Sequence, residues 1–269
     1  MAPLSAAPDP ILDRVAERAR ELARTYEPPG FEHVPDPDAA LFLCAVDHKA
    51  GYEREHEIEG RGPFRGSALM WEAGLAAARR EPGLLTAKRL REVGEDELDG
   101  WFEVEGDRLA DPGRRAALWR DLADGLIGSY AGSAQTLLDE AEASLPVLLG
   151  LLREFRAYSD PLAKKSYLLA KIAQRRGWFA VSDPRLWQVS ADSVLMRVAL
   201  RSALVAPGPL ERVRADTRAR LRMLADAAGI EVPVLDDMIW ELGREDPDLL
   251  GSEGGDLREP DRDPDSAWF

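Results

Sequence analysis

Asp192 is the residue whose type and setting point most directly to chemistry. It lies in Ser190-Ala191-Asp192-Ser193, ahead of the apolar-periodic run Val194 to Leu200. Ser190 reads as a helix N-cap, which places Asp192 in the first turn. Free N–H groups and the helix dipole favour an ionised carboxylate there. A rigidly held negative charge is what cleavage of a glycosidic bond through a cationic sugar requires. Acidic residues also occupy first turns for stability alone, so the position gains meaning only from its partners.

Two sets of partners flank it. Lys165 lies 27 residues upstream, where Lys164-Lys165 opens a helix. A lysine pair at a helix start is ordinarily a solvated face. A long loop between the two helices allows Lys165 and Asp192 to meet. The ammonium would then bind a phosphate, steady a leaving base or, if desolvated, act as an amine nucleophile. Asp236, 44 residues downstream, stands one helical turn before Trp240, so the two share a helix face. An indole beside a carboxylate suits a planar heterocycle, the ring stacking and the carboxylate accepting from N–H donors on a guanine-like edge. A core tryptophan with an acidic residue near the helix start is the plainer alternative.

Asp47 and His48 end an apolar run and complete the candidate substrate-binding set. A partly buried structural histidine is the alternative for His48. Glu55-His56-Glu57-Ile58-Glu59 lacks the i, i+4 histidine pair of zinc proteases, and no metal or cofactor is assigned. Gly60 to Gly66 misses the dinucleotide fingerprint by one residue and reads as a loop, with Arg61 or Arg65 in reach of a phosphate.

The elements that must position these residues are helical almost throughout, an all-α class. Helical spacing covers Ile11 to Thr25, Ser67 to Arg80, a short piece from Thr86, Glu95 to Phe102, and residues 113–130, 133–143 and 145–158. It resumes over 163–176, 191–204, 209–228 and 234–244. Ala39 to Val46 fits either a buried helix or a strand, because periodicity does not separate short apolar runs. Residues 1–245 read as one helical domain. After Glu245 the composition turns acidic and rich in Gly and Pro, predicting a mobile tail with Trp268-Phe269 as an anchor.

A chain of 269 residues buries a sizeable core. The net charge of −14 argues against a stable duplex-DNA footprint, since phosphate neutralisation supplies most non-specific affinity. Cys44, the only cysteine, sits in the run Ala40 to Val46 and reads as a buried, inert thiol. No apolar stretch reaches membrane-spanning length and no secretory signal is evident, predicting a cytoplasmic protein, a monomer without membrane partners.

Several segments together resemble the queuosine salvage family, the queuosine 5′-phosphate N-glycosylases. They are Phe42-Leu43-Cys44-Ala45-Val46-Asp47, Phe64-Arg65-Gly66-Ser67, Gly132-Ser133 and Phe155-Arg156-Ala157-Tyr158-Ser159-Asp160. Lys165, Lys171-Ile172-Ala173-Gln174, Ala191-Asp192 and Leu235-Asp236 with Trp240 follow in the same order. The second half is also similar to the archaeal 8-oxoguanine DNA glycosylase of the helix-hairpin-helix superfamily. The resemblance implies a helical DNA-glycosylase-like fold with a cleft between two lobes. It implies Asp192 as catalytic aspartate, Lys165 as the matched lysine (a Schiff-base nucleophile in the DNA enzyme), and Asp236 and Trp240 as base contacts. The chain departs from the salvage family at Asp47-His48-Lys49-Ala50-Gly51-Tyr52-Glu53, where the family has Asn-Phe and further aromatics, and at Leu169, where it has an aromatic residue.

Three functions follow as expectations. The first is an N-glycosidase acting on a modified, guanine-like (queuosine-type) nucleoside 5′-monophosphate and releasing the free base for salvage, as in tRNA modification. The second is a DNA glycosylase/lyase acting on oxidised guanine. The third is a non-catalytic nucleoside-binding protein.

Overall fold

The computed structural model describes residues 9–261, 266 and 268. Its helices in chain order are α1 (Pro10–Ala23), α2 (Pro37–Val46), α3 (Gly66–Arg80), α4 (Ala87–Leu90), α5 (Glu95–Phe102) and α6 (Pro112–Ser129). Then come α7 (Ala134–Glu140), α8 (Leu145–Arg153), α9 (Lys164–Arg175), α10 (Ser193–Arg201), α11 (Leu210–Ala228) and α12 (Val232–Gly243). The all-α class holds, with one addition. The segment expected as a loop at Gly60–Gly66 forms part of an antiparallel hairpin, β1 (His56–Ile58) with β2 (Arg61–Phe64), in which His56 pairs with Phe64. The turn at Glu59-Gly60 supplies the positive φ that reverses the chain.

The chain divides into two compact units, Met1–Pro29 with Trp187–Pro264, and Gly30–Leu186 with Asp265–Phe269. In the first unit α1 packs on α11, and α10 packs on α12 and α11. A Cβ at Gly243 would meet Val198 Cγ2 at 2.8 Å, so this glycine permits the close approach of α12 to α10. The acidic segment after Glu245 is fastened to the same unit. Arg201 forks onto Asp248 at 2.6 Å through both Nε and Nη2, and Arg197 forks onto Glu259 at 2.8 and 2.6 Å.

The second unit is organised round α2. Every residue from Ala39 to Val46 is buried, so this run is apolar on all sides. It is a helix rather than a strand: Asp36 caps it by accepting the Ala39 N–H at 2.8 Å, and α9, α6, α7 and α3 surround it. Burying Leu41, Phe42 and Leu43 completely contributes about 1.5–3 kcal/mol each. Trp119 of α6 packs its ring against Phe42, Trp101 and Phe102 and donates Nε1–H to the Phe42 carbonyl at 2.7 Å. Cys44 lies inside this core, and burial pushes its thiol up, which makes it inert. Trp268 donates to Ser159 Oγ at 3.3 Å; Phe269, the other half of the expected anchor, lies outside the described residues. Among the described residues no helix is long and apolar enough to cross a membrane.

Candidate active site

Asp192 is itself the N-cap of α10, in place of Ser190. Its backbone is extended (φ −99°, ψ −172°), and its Oδ1 accepts the Leu195 N–H at 3.0 Å. Helical geometry begins at Ser193, so the carboxylate stands just outside the first turn. Ser and Asp cap about equally well, so local propensity did not choose between them. The choice follows from Asp236, which takes the Ser190 N–H on its Oδ1 at 2.7 Å and holds that residue upstream of the helix. Asp192 is 9% exposed and Asp236 4%.

Asp236 sits in the second turn of α12, since the helix begins at Val232. Trp240 follows one turn later, half-buried, with the Arg244 guanidinium 4.9 Å from its ring centroid. The pair shares a face, as the spacing requires. Arg244 thus makes a cation–π contact on the indole. The first unit therefore carries Asp192 at the start of α10 and Asp236 with Trp240 on α12, with Asp236 tied to the segment ahead of α10 through Ser190.

The second unit gathers Asp47, His48, Lys164 and Lys165. Here the lysine pair is buried rather than solvated: Lys164 is 9% exposed and Lys165 0%. The cause is the C-terminus of α2. A helix end leaves carbonyls without intrahelical partners and carries partial negative charge. Five successive carbonyls receive three cations. Lys165 Nζ donates to Ala45 O at 2.6 Å, Arg115 to Val46 O, Lys164 Nζ to Asp47 O at 3.0 Å, and Arg115 again to His48 O and to Lys49 O at 3.0 Å. The N-terminus of α9 is set in place by Asp160, which accepts the Leu162 and Lys164 N–H groups, each at 3.0 Å.

Crowding cations in a dry region moves their protonation. Burial, then the Lys164 charge, pushes the Lys165 amine well below its usual value. Burial likewise brings Arg115 down to about 10. His48 Nδ1 lies 3.1 Å from Lys165 Nζ, and burial followed by the Lys165 and Arg115 charges drives the imidazole far below 6.5, so it is neutral. Its Nε2 is buried and has no hydrogen-bond partner in the protein. Asp47 goes the other way. Burial alone would raise its carboxyl, but Lys164 and the hydrogen bonds from Ser67 (2.6 Å) and Trp71 (3.4 Å) outweigh it, and the group stays ionised.

Other residues flagged in the sequence have structural partners. Tyr52 donates to Phe102 O at 2.6 Å. Arg61 binds Glu72 at 2.5 Å, so its guanidinium serves the hairpin. His56 is clasped between Glu105 at 3.0 Å and Asp107 at 2.8 Å. Sequence reasoning missed Arg115 and Arg214, both fully buried. The signal was present: Arg115 falls on the inward stripe with Trp119, Leu122 and Leu126, and Arg214 adjoins Val213, Thr217 and Leu221.

The fold is similar to that of a solved trapped endonuclease III–DNA covalent intermediate, an estranged-adenine complex. The TM-score is 0.55 at 12% identity, over 87% of this chain and 86% of that chain. This likeness establishes a helical, endonuclease III-like architecture. No family model matches the chain, and no match occurs among curated proteins.

Proposed function

We propose that this chain is an N-glycoside hydrolase that releases the base from a modified, guanine-like nucleoside 5′-monophosphate of the queuosine type. The observation that carries the reading is the Asp192 carboxylate, held at the N-cap of α10 by the Leu195 N–H and neighboured by the Asp236 anchor at Ser190. A preorganised negative charge of this kind favours the oxocarbenium-like sugar without reorganising at the moment of reaction. The endonuclease III-like fold is consistent with such chemistry.

In this reading Asp192 stabilises the sugar cation and orients or deprotonates the attacking water. The C1′–N bond breaks, its electron pair leaves with the base, and the water oxygen joins C1′. Asp236 accepts from the base edge. Trp240 stacks on the ring. Lys165, with Asp47 and His48 beside it, is the second unit's own candidate for a phosphate or a leaving base. A screen for base release across nucleosides, their 5′-monophosphates and damaged DNA tests the reading. Release from a guanine-like nucleoside monophosphate supports it; no release from any nucleoside or nucleotide sinks it.

One observation favours a second reading, a DNA glycosylase/lyase acting on oxidised guanine. The depressed pKa of Lys165 favours the neutral, nucleophilic amine that such an enzyme uses to displace the base and form an imine with the opened sugar. Borohydride trapping of a covalent adduct on DNA containing oxidised guanine would support it. Absence of trapping, together with no DNA affinity at low salt, would leave hydrolysis; the net charge of −14 already leans toward that outcome.

A further inference from the structure

The segment leading to Asp192 is held residue by residue from two helices. Val189 O lies 3.4 Å from Arg218 Nη2 on α11, the Ser190 N–H goes to Asp236 on α12, and Ala191 O lies 3.5 Å from Arg214 Nε on α11. Asp192 then closes the series through the Leu195 N–H. Arg214 and Arg218 are one turn apart on α11, and both reach the segment ahead of Asp192, at carbonyls two residues apart. Arg214 is 0% exposed, while Arg218 is half-buried. A fully buried guanidinium is retained only where its donors are used, and its planar fork gives it one orientation. Val189 and Ala191 are themselves fully buried, so their carbonyls have no recourse to bulk solvent.

We infer that Arg214 and Arg218 are positioning residues that fix the approach of the chain to Asp192 and thereby aim its carboxylate. Their hold on the Val189 and Ala191 carbonyls sets where the N-cap lies. The consequence for rate rests on the proposed role of Asp192; the consequence for local structure does not. A displacement of about 1 Å in a catalytic group is enough to cost up to about 10²-fold in rate.

The test uses the full chain and the variants Arg218→Met and Arg214→Lys. The first removes a half-exposed group, and the second keeps the charge while losing the fork. Amide hydrogen exchange is followed at Ser190 and Leu195, with Ile239 in α12 as the internal control. Protection at Ser190 and Leu195 is expected to fall about tenfold in each variant, with Ile239 unchanged. Where base release is measurable, kcat should fall about tenfold with KM held, and Arg218→Lys should restore more of it than Arg218→Met. Unchanged exchange at Ser190 and Leu195 in both variants overturns the inference, whether or not the chain is a hydrolase. Loosened exchange with unaltered kcat overturns its catalytic half. If the wild-type chain releases no base, the proposed function fails, and the exchange result still decides the positioning.

Discussion

Asp236 accepts the Ser190 N–H at 2.7 Å, so a carboxylate on α12 grips the chain two residues before the Asp192 that begins α10. The residue read as a base acceptor is thus also a structural anchor for the proposed catalytic group. The two roles separate by substitution. Asp236→Asn keeps an oxygen for Ser190 and should change melting little, while weakening substrate binding. Asp236→Ala orphans a buried N–H and should cost about 1–3 kcal/mol. Equal melting of the two variants in a thermal scan would remove the anchor.

Asp192→Asn should lower base release by about 10²–10³-fold and leave stability almost intact, because Asn and Asp cap helices equally well. Asp192→Ala should lose the activity and about 1 kcal/mol besides, through the vacated Leu195 N–H. Denaturant midpoints beside turnover rates check both. Turnover like wild type in Asp192→Asn would end the assignment.

Arg115 supplies donors to Val46, His48 and Lys49 from a fully buried site. Arg115→Met leaves those carbonyls in the interior without that partner. A loss of about 3–5 kcal/mol is expected, a large share of a domain's usual stability. Urea denaturation reads it directly, and a midpoint within experimental error of wild type would mean the carbonyls find other donors.

His48 gives stability a definite acid limb. Burial, with the Lys165 and Arg115 charges, holds its folded pKa far below the 6.5 of the free side chain. The unfolded chain therefore binds a proton that the folded one refuses. That difference is absent well above pH 6.5 and grows as pH falls below it, at up to about 1.4 kcal/mol per pH unit. His48→Gln should flatten the loss of stability between pH 6.5 and pH 5. The same slope in wild type and variant would show the ring titrating in place.

His56 does the opposite. Hydrogen bonds first to Asp107 and then to Glu105 raise its pKa, and Asp107 falls to about 2 in the same cluster. Both ring nitrogens face carboxylates, so the doubly protonated ring fits best. Its contribution is complete below pH 6.5 and disappears as pH rises through the raised folded value. His56→Gln should therefore lower Tm more at pH 6 than at pH 9. A deficit of equal size at both values would reduce His56 to a packing residue.

What the sequence determined by itself is local. Apolar spacing placed α5 at Glu95–Phe102 and nearly all of α11, and the i, i+4 spacing put Asp236 and Trp240 on one face. These features follow from 3.6 residues per turn and from side chains within a few positions of each other. Ala39 to Val46 was ambiguous because a wholly buried helix and a buried strand are both apolar throughout; the helices packed around α2 settled it. Ser190 and Asp192 were equal as caps until Asp236, 46 residues away, engaged the Ser190 N–H. Lys165 looked like a solvated lysine until the tertiary fold brought in the Ala45 carbonyl, 120 residues upstream. Burial of a charge depends on which distant dipoles replace water around it. Those dipoles belong to the end of another helix, and only the packing of α9 on α2 delivers them.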